Sequence, residues 1–192
     1  MIAIIDYEAG NIRSLLNALG RIGATAELTS DAEVIRRADH VIFPGVGEAS
    51  SAMERLRRLQ LDRLIPTLTQ PFLGICIGLQ LMCRHSEEND TEGIGIFDAR
   101  VKRFPAGLKV PQVGWNNIRR LESPLFQGVP EETDCYFVHG YYAEVTADTI
   151  AEAEYSCPFS AALHKNNFYA VQFHPEISSN TGESVLKNFL AL

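Results

Sequence analysis

Short apolar runs and amphipathic stretches alternate through the first half of the chain. IAII at 2–5 predicts a strand, and the polar turn at 7–11 leads into a helical pattern over 12–22 that Gly23 closes. A second strand is expected over 24–28, followed by a short helix holding Val34 and Ile35 that Asp31 caps. VIF at 41–43 predicts the third strand. The loop PGVG at 44–47 separates it from a helix carrying Met53, Leu56 and Leu59. A fourth strand is expected over 72–75 and a helix over 78–85. Strands alternating with helices imply a parallel sheet covered on both faces.

The pattern changes in the second half. Strands are expected at 101–104, 117–120, 135–139, 141–145, 150–155 and 161–164. Asn166-Asn167 suits a tight hairpin turn into FYAVQF at 168–173, and a last helix runs from about 182 to 192. The fold class expected is α/β: one domain over 1–192, with a mixed, mostly parallel central sheet flanked by helices and extra antiparallel strands in the second half. No repeat, low-complexity segment or long linker interrupts it.

Composition narrows the function. A chain of 192 residues with 46% hydrophobic content can bury a sizeable core. A net charge of −7 argues against a nucleic-acid surface, which needs a basic face. No apolar run approaches the ~18 residues a membrane span requires, and MIAIIDYEAG lacks the basic start and long apolar middle of a signal peptide. Cys76, Cys83, Cys135 and Cys157 have neither metal-site nor disulfide-framework spacing, so a reduced, cytoplasmic protein without a structural metal is expected. No P-loop and no G-x-G-x-x-G is present, so no nucleotide cofactor is expected.

One stretch does not fit a plain core element. In FLGICIGLQL (72–81), Gly74 and Gly78 bracket Cys76 where strand gives way to helix. G-x-C-x-G is the thiol counterpart of the nucleophile elbow, in which a sharp strand-to-helix turn projects the nucleophile above the sheet. The helix N-terminus favours an anion there, and the Ile77 N–H can point at a developing oxyanion. A small buried residue at a tight junction is the plainer alternative. A thiolate nucleophile works beside a histidine base fixed by a third group. Among five histidines, His40 opens a strand, and His85 and His164 sit among polar residues. His174 follows FYAVQF and precedes Pro175 and Glu176. Strand ends are where α/β folds place their chemistry. In an extended segment His174 and Glu176 face the same side, so the carboxylate can hold the ring.

GICIGLQ followed by FHPE resembles the class I, triad-type glutamine amidotransferases, which have a flavodoxin-like core. DYEAGNIRS (6–14), PGVG (44–47), VPQVGWN (110–116) and YFVHGYY (136–142) are similar to the glutaminase subunits of imidazole glycerol phosphate synthases. The resemblance implies glutamine hydrolysis with Cys76 as nucleophile, His174 as base and acid, and Glu176 as its orienter. It implies an oxyanion hole from the backbone of Val46, Gly47 and Ile77. Substrate contacts would come from Gly45, Gln80 and the backbone around His139, Gly140 and Tyr141. It further implies a heterodimer with a (β/α)8-barrel cyclase subunit, which would receive ammonia and hold the phosphorylated acceptor. Asn11, Arg13, Ser14 and Trp115 would lie toward that partner.

Two positions depart from the family pattern. Ile177 stands where a lysine is common, which puts the family's salt bridge to the synthase subunit in doubt there. Gly140 replaces a frequent serine or threonine. A stand-alone cysteine hydrolase of γ-glutamyl peptides, the glutaminase of another synthase, and an interaction module without chemistry remain as alternatives.

Overall fold

The computed structural model of the chain describes residues 1–8 and 12–192. Its first half alternates β1 (Ile2–Ile5), α1 (Ile12–Arg21), β2 (Ala26–Thr29), α2 (Ala32–Arg37), β3 (His40–Phe43), α3 (Ala49–Arg58), α4 (Leu61–Leu64), β4 (Phe72–Ile75) and α5 (Ile77–Met82). The second half begins with β5 (Cys83–Ser86), β6 (Thr91–Glu92), β7 (Phe97–Arg103), β8 (Gln112–Ile118) and β9 (Thr133–His139). It continues with β10 (Tyr141–Ala143), β11 (Thr149–Glu154), β12 (Pro158–Lys165), β13 (Phe168–Val171) and α6 (Ser179–Leu190).

Seven strands form the central sheet in the order β11-β12-β13-β4-β3-β1-β2. From β13 to β2 neighbours run parallel, while β12 and β11 join antiparallel at one edge. The sheet is therefore mixed and mostly parallel, as the pattern predicts. Smaller assemblies, β10-β7-β5-β6 and the β8-β9 ribbon, stand beside it.

Alternation along each strand sorts side chains onto two cores. Ala3, Ile5, Val41, Phe43 and Phe72 share one core with Met53 and Leu56 of α3. Ile4, Ile42, Leu73 and Ile75 share the other with Leu15 and Leu19 of α1 and Leu186 and Phe189 of α6. In α1 the buried residues Leu15, Ala18 and Leu19 follow the i, i+3, i+4 spacing of a helix face. Each fully buried Leu, Ile or Phe contributes about 1.5–3 kcal/mol.

The elements differ from expectation in several places, β6 and the earlier starts of β12 and α6 among them. The helix after Cys76 stops at Met82 instead of continuing to 85. The N–H groups of Ile94, Gly95 and Ile96 take the carbonyls of Leu81, Cys83 and Met82, and Cys83 turns into β5. β7 begins four positions earlier than expected, at Phe97. β8 covers Gln112–Ile118 rather than 117–120. β13 ends at Val171, not at 173. Among the described residues no helix is long and apolar enough to cross a membrane, and no group of three or more His, Cys, Asp or Glu is arranged to hold a metal ion.

Candidate active site

β4 lies inside the sheet between β3 and β13, so its C-terminal end opens onto the middle of the sheet edge. Cys76 sits there with φ 54° and ψ −107°. An L-residue held in such a conformation costs about 1–3 kcal/mol. Two bonds fix it: the Cys76 N–H donates to the Val171 carbonyl at 2.8 Å, and the Gln80 N–H donates to the Cys76 carbonyl at 3.3 Å. Close approach explains the flanking glycines. A Cβ on Gly78 would lie 2.1 Å from the Phe43 carbonyl oxygen, and one on Gly74 would lie 2.6 Å from the Met82 sulfur. As the first residue of α5, Ile77 has an N–H with no partner in the helix.

His174 meets Glu176 by a different route from the strand alternation expected. A 3₁₀ turn over Pro175–Ile177 folds the carboxylate back, and Glu176 Oε1 lies 2.8 Å from His174 Nδ1. The Ser178 hydroxyl donates to the His174 carbonyl at 2.7 Å and accepts the Tyr136 N–H at 2.9 Å. The His174 N–H donates in turn to the Tyr136 carbonyl at 2.9 Å. Burial alone pushes the His174 pKa down. Hydrogen bonds to Cys76 and Glu176, reinforced by their charges, outweigh that and raise it to about 10. The imidazolium is thus the favoured form at neutral pH.

Cys76, His174 and Glu176 line one cavity of about 400 Å³. Gly45, Val46, Gly47, Ile77, Gln80, His139, Gly140 and Tyr141 line it too, so every residue named for the oxyanion hole and substrate reaches the same space. Ser14, half-buried in the first turn of α1, also lines it, while Arg13 is exposed beside it. Asn11 falls outside the described residues. Trp115 does not line the cavity. It stands on β8, 53% exposed, edge-on to Tyr136 at 5.7 Å between ring centroids.

His139 is buried among Phe104, Phe137 and Phe159. Its Nδ1–H donates to the Tyr141 carbonyl at 2.7 Å, and Nε2 has no partner among the described residues. Burial lowers its pKa to about 4, with the Tyr141 bond opposing and the His174 charge adding. His139 is therefore neutral where His174 is charged.

Residues 3–192 match the family model "Glutamine amidotransferase class-I". The chain belongs to the class-I glutamine amidotransferases. Among curated relatives it is 55% identical to the imidazole glycerol phosphate synthase subunit HisH of Bacteroides thetaiotaomicron, covering 100% of this chain and 99% of that one. It is 44% identical to the subunit of the same name from Yersinia pseudotuberculosis, again over 100% and 99% of the two chains. In the solved structure of PurLQS from Thermotoga maritima, one chain superposes with a TM-score of 0.74 at 15% identity, over 99% of this chain and 97% of that one, which shows a common fold.

Two residues of this amidotransferase's cavity region escape sequence reasoning. Glu88 lines the cavity from the stretch SEEND, where it is indistinguishable from surface charge. Its Oε2 accepts the Ala49 N–H at 2.7 Å. Burial raises its pKa, the Ala49 bond opposing and Glu48 adding. Gln172 is fully buried behind Cys76. A signal for it exists in the sequence: a lone amide inside the apolar run FYAVQF.

Proposed function

We propose that the chain, acting over 1–192 as one domain, is the glutaminase subunit of an imidazole glycerol phosphate synthase. It hydrolyses L-glutamine to glutamate and passes the ammonia to a (β/α)8-barrel cyclase in histidine biosynthesis. The observation that carries this reading is the shared cavity, where a thiol on a strained elbow meets an imidazolium bonded to a half-buried carboxylate. The names of the relatives support the choice of synthase. A cytoplasmic setting follows with the pathway, and the four thiols, all free, suit a reducing compartment.

In the mechanism proposed, the Cys76 thiolate attacks the carboxamide carbon of glutamine. The tetrahedral oxyanion takes hydrogen bonds from backbone N–H groups of Ile77, Val46 and Gly47, each worth about 3 kcal/mol. The His174 imidazolium gives its Nε2 proton to the leaving nitrogen, and ammonia departs from a glutamyl thioester. Neutral His174 then takes a proton from water, whose oxygen attacks the thioester carbon and releases glutamate. Glu176 keeps the ring oriented and stabilises its charge. A cavity of about 400 Å³ accommodates one glutamine. Glu88, the lining carboxylate not bonded to His174, receives the α-ammonium group. Arg13, Ser14 and Trp115 face the cyclase, joined by the exposed apolar side chains of Val113, Val138 and Ile177. An apolar side chain at 177 makes that contact by packing rather than by charge.

The test measures glutamate release by wild type and Cys76→Ala, each with and without the cyclase and its acceptor nucleotide. Wild type is expected to hydrolyse glutamine, at least ~10-fold faster with the loaded cyclase, and Cys76→Ala to fall by ~10⁴-fold or more. Undiminished hydrolysis by Cys76→Ala overturns the triad. Full activity without the cyclase overturns the subunit reading in favour of a stand-alone hydrolase.

A further inference from the structure

Gln172 lies one residue beyond β13, with no exposed surface. An amide buried among apolar side chains costs about 2 kcal/mol or more unless it is hydrogen-bonded. Its backbone N–H is already satisfied by the Ala161 carbonyl at 2.8 Å, so the side chain is not needed to complete the sheet. That side chain is bonded at both ends to residues of the cavity. Nε2 lies 3.7 Å from the Cys76 sulfur, and Oε1 accepts from Gln80 Nε2 at 3.0 Å.

The direction of this chain of bonds is forced. Gln80 Nε2 also donates to the Tyr141 carbonyl at 2.9 Å, and a carbonyl can only accept. The Gln80 amide nitrogen must therefore face Tyr141 and Gln172. That fixes the Gln172 oxygen toward Gln80 and leaves its N–H groups toward sulfur. As a thiol, Cys76 donates to the Val138 carbonyl at 3.6 Å. As a thiolate it can only accept, and Gln172 is a buried donor already aimed at it.

We propose that Gln172 is a further catalytic residue of the glutaminase: its side-chain amide donates to the Cys76 sulfur and favours the thiolate, while Gln80 is the positioning residue that aims it. This rests on Cys76 being the nucleophile. His174 also interacts with Cys76, and in the proposed mechanism it must give up a proton during turnover. Gln172 is a fully buried donor to the same sulfur and never changes protonation. It therefore supports the sulfur through every step, whichever protonation state the imidazole holds, including the collapse in which the thiolate departs from the acyl carbon.

The experiment uses the full chain with its cyclase and reads the rate of Cys76 alkylation by iodoacetamide against pH, with the modified residue located by peptide mass. Wild type reports the reading on which the proposal rests: if its alkylation does not fall on Cys76, that reading fails and the Gln172 variants are not the cause. Two variants test the proposal itself. Gln172→Met keeps the volume and removes the donor, and Gln172→Glu keeps the shape and replaces the donor with a carboxylate. Each is expected to move the alkylation midpoint up by about one pH unit, Gln172→Glu further, because a lost bond to a charged group is worth about a tenfold change. The kcat for glutamine is expected to fall ~10-fold or more, with KM within ~3-fold. Gln80→Met is expected to give part of the same midpoint shift by freeing the Gln172 amide to turn.

A residue serving only to fill the core would lower thermal stability and leave the midpoint in place. Folded variants with an unmoved midpoint overturn the proposal. A measurement on the unsubstituted chain covers variants that fail to fold. The side-chain amide proton and nitrogen resonances of Gln172 are expected to titrate with the Cys76 sulfur and to stop doing so in Cys76→Ala. Resonances that ignore the thiol in wild type overturn the proposal as well.

Discussion

Cys76 and His174 reach one cavity from opposite halves of the chain, and different forces aim them. At the elbow the backbone decides. Cys76 holds a positive φ because β4 and α5 meet with no room for side chains, and Gly78 passes under the Phe43 carbonyl. In the turn after β13 hydrogen bonds decide. Ser178, Tyr136 and Glu176 each hold one part of His174, and the ring charge depends on what it faces. Sterics hold the Cys76 backbone in place at every pH. In the proposed mechanism His174 changes protonation during turnover, and hydrogen bonds suit such a group because they can hold both its forms. The elbow is therefore expected to fail abruptly on substitution, and the turn by degrees.

The largest effect is expected at the elbow. In Gly78→Ala the new methyl would overlap a backbone oxygen that belongs to the sheet, so β3 or α5 must move. The expected cost is about 3 kcal/mol or more, with glutaminase activity lost together with stability. Gly74→Ala meets mainly the end of the flexible Met82 side chain, and its cost is expected to be smaller. Urea unfolding of both variants checks the order. If Gly78→Ala is tolerated as well as an exposed helix substitution, the elbow is not held by close approach and the contrast collapses.

Much of this contrast is legible in the sequence, and for physical reasons. Strand–helix alternation reports burial period directly, so β1 to β4 are found within a residue or two of their true ends. G-x-C-x-G is legible because the close approach allows nothing larger than glycine. His174-Pro175-Glu176 is legible as a constellation, yet its geometry is not. A proline there suggests a stiffened, extended segment, and it starts a 3₁₀ turn instead. β8 is hard to see because only one of its faces is covered. QVGWN alternates covered and exposed positions and includes Gly114 at φ +137°, so it carries neither an apolar run nor a β-branched one. Glu88 is invisible because its burial comes from α3, which lies far away in sequence.

The next effect comes from the two buried histidines and separates the turn from its surroundings. His139 and His174 are almost equally buried, at 5% and 7% exposure. One faces a carbonyl and three phenyl rings, the other a carboxylate and a thiol. For His139 the folded pKa, about 4, lies below the ordinary 6.5. The unfolded chain therefore binds a proton that the folded one refuses, and stability falls as pH drops from 6.5 to 4. Its size is about 3 kcal/mol, at 1.36 kcal/mol per pKa unit. For His174 the folded pKa lies above the ordinary value, so its contribution is complete below pH 6.5 and is lost as pH rises toward 10. Urea unfolding from pH 4 to 10 is expected to show both limbs. Glu176→Gln should shrink the alkaline limb, the Cys76 share remaining, and leave the acid one, whereas His139→Leu should remove the acid limb and leave the alkaline one. A single limb that both substitutions alter equally would mean the two histidines do not act as separate groups.

The smallest effect is expected where the turn is tied to the ribbon. The Ser178 hydroxyl is fully buried and makes two bonds, donating to the His174 carbonyl and accepting from the Tyr136 N–H. Ser178→Ala leaves both backbone groups without that partner. The His174 N–H still bonds the Tyr136 carbonyl, so the turn loosens and does not detach. A stability loss of about 1–3 kcal/mol is expected from the orphaned groups. Because the side chain of His174 is held separately by Glu176, kcat is expected to fall only a few-fold, and the alkaline limb of the stability profile should keep its position. Measured together, these outcomes separate placing the ring from charging it. If Ser178→Ala instead abolishes activity as abruptly as Gly78→Ala, the turn is as rigidly specified as the elbow, and hydrogen bonding is not a gentler way of holding the His174 ring.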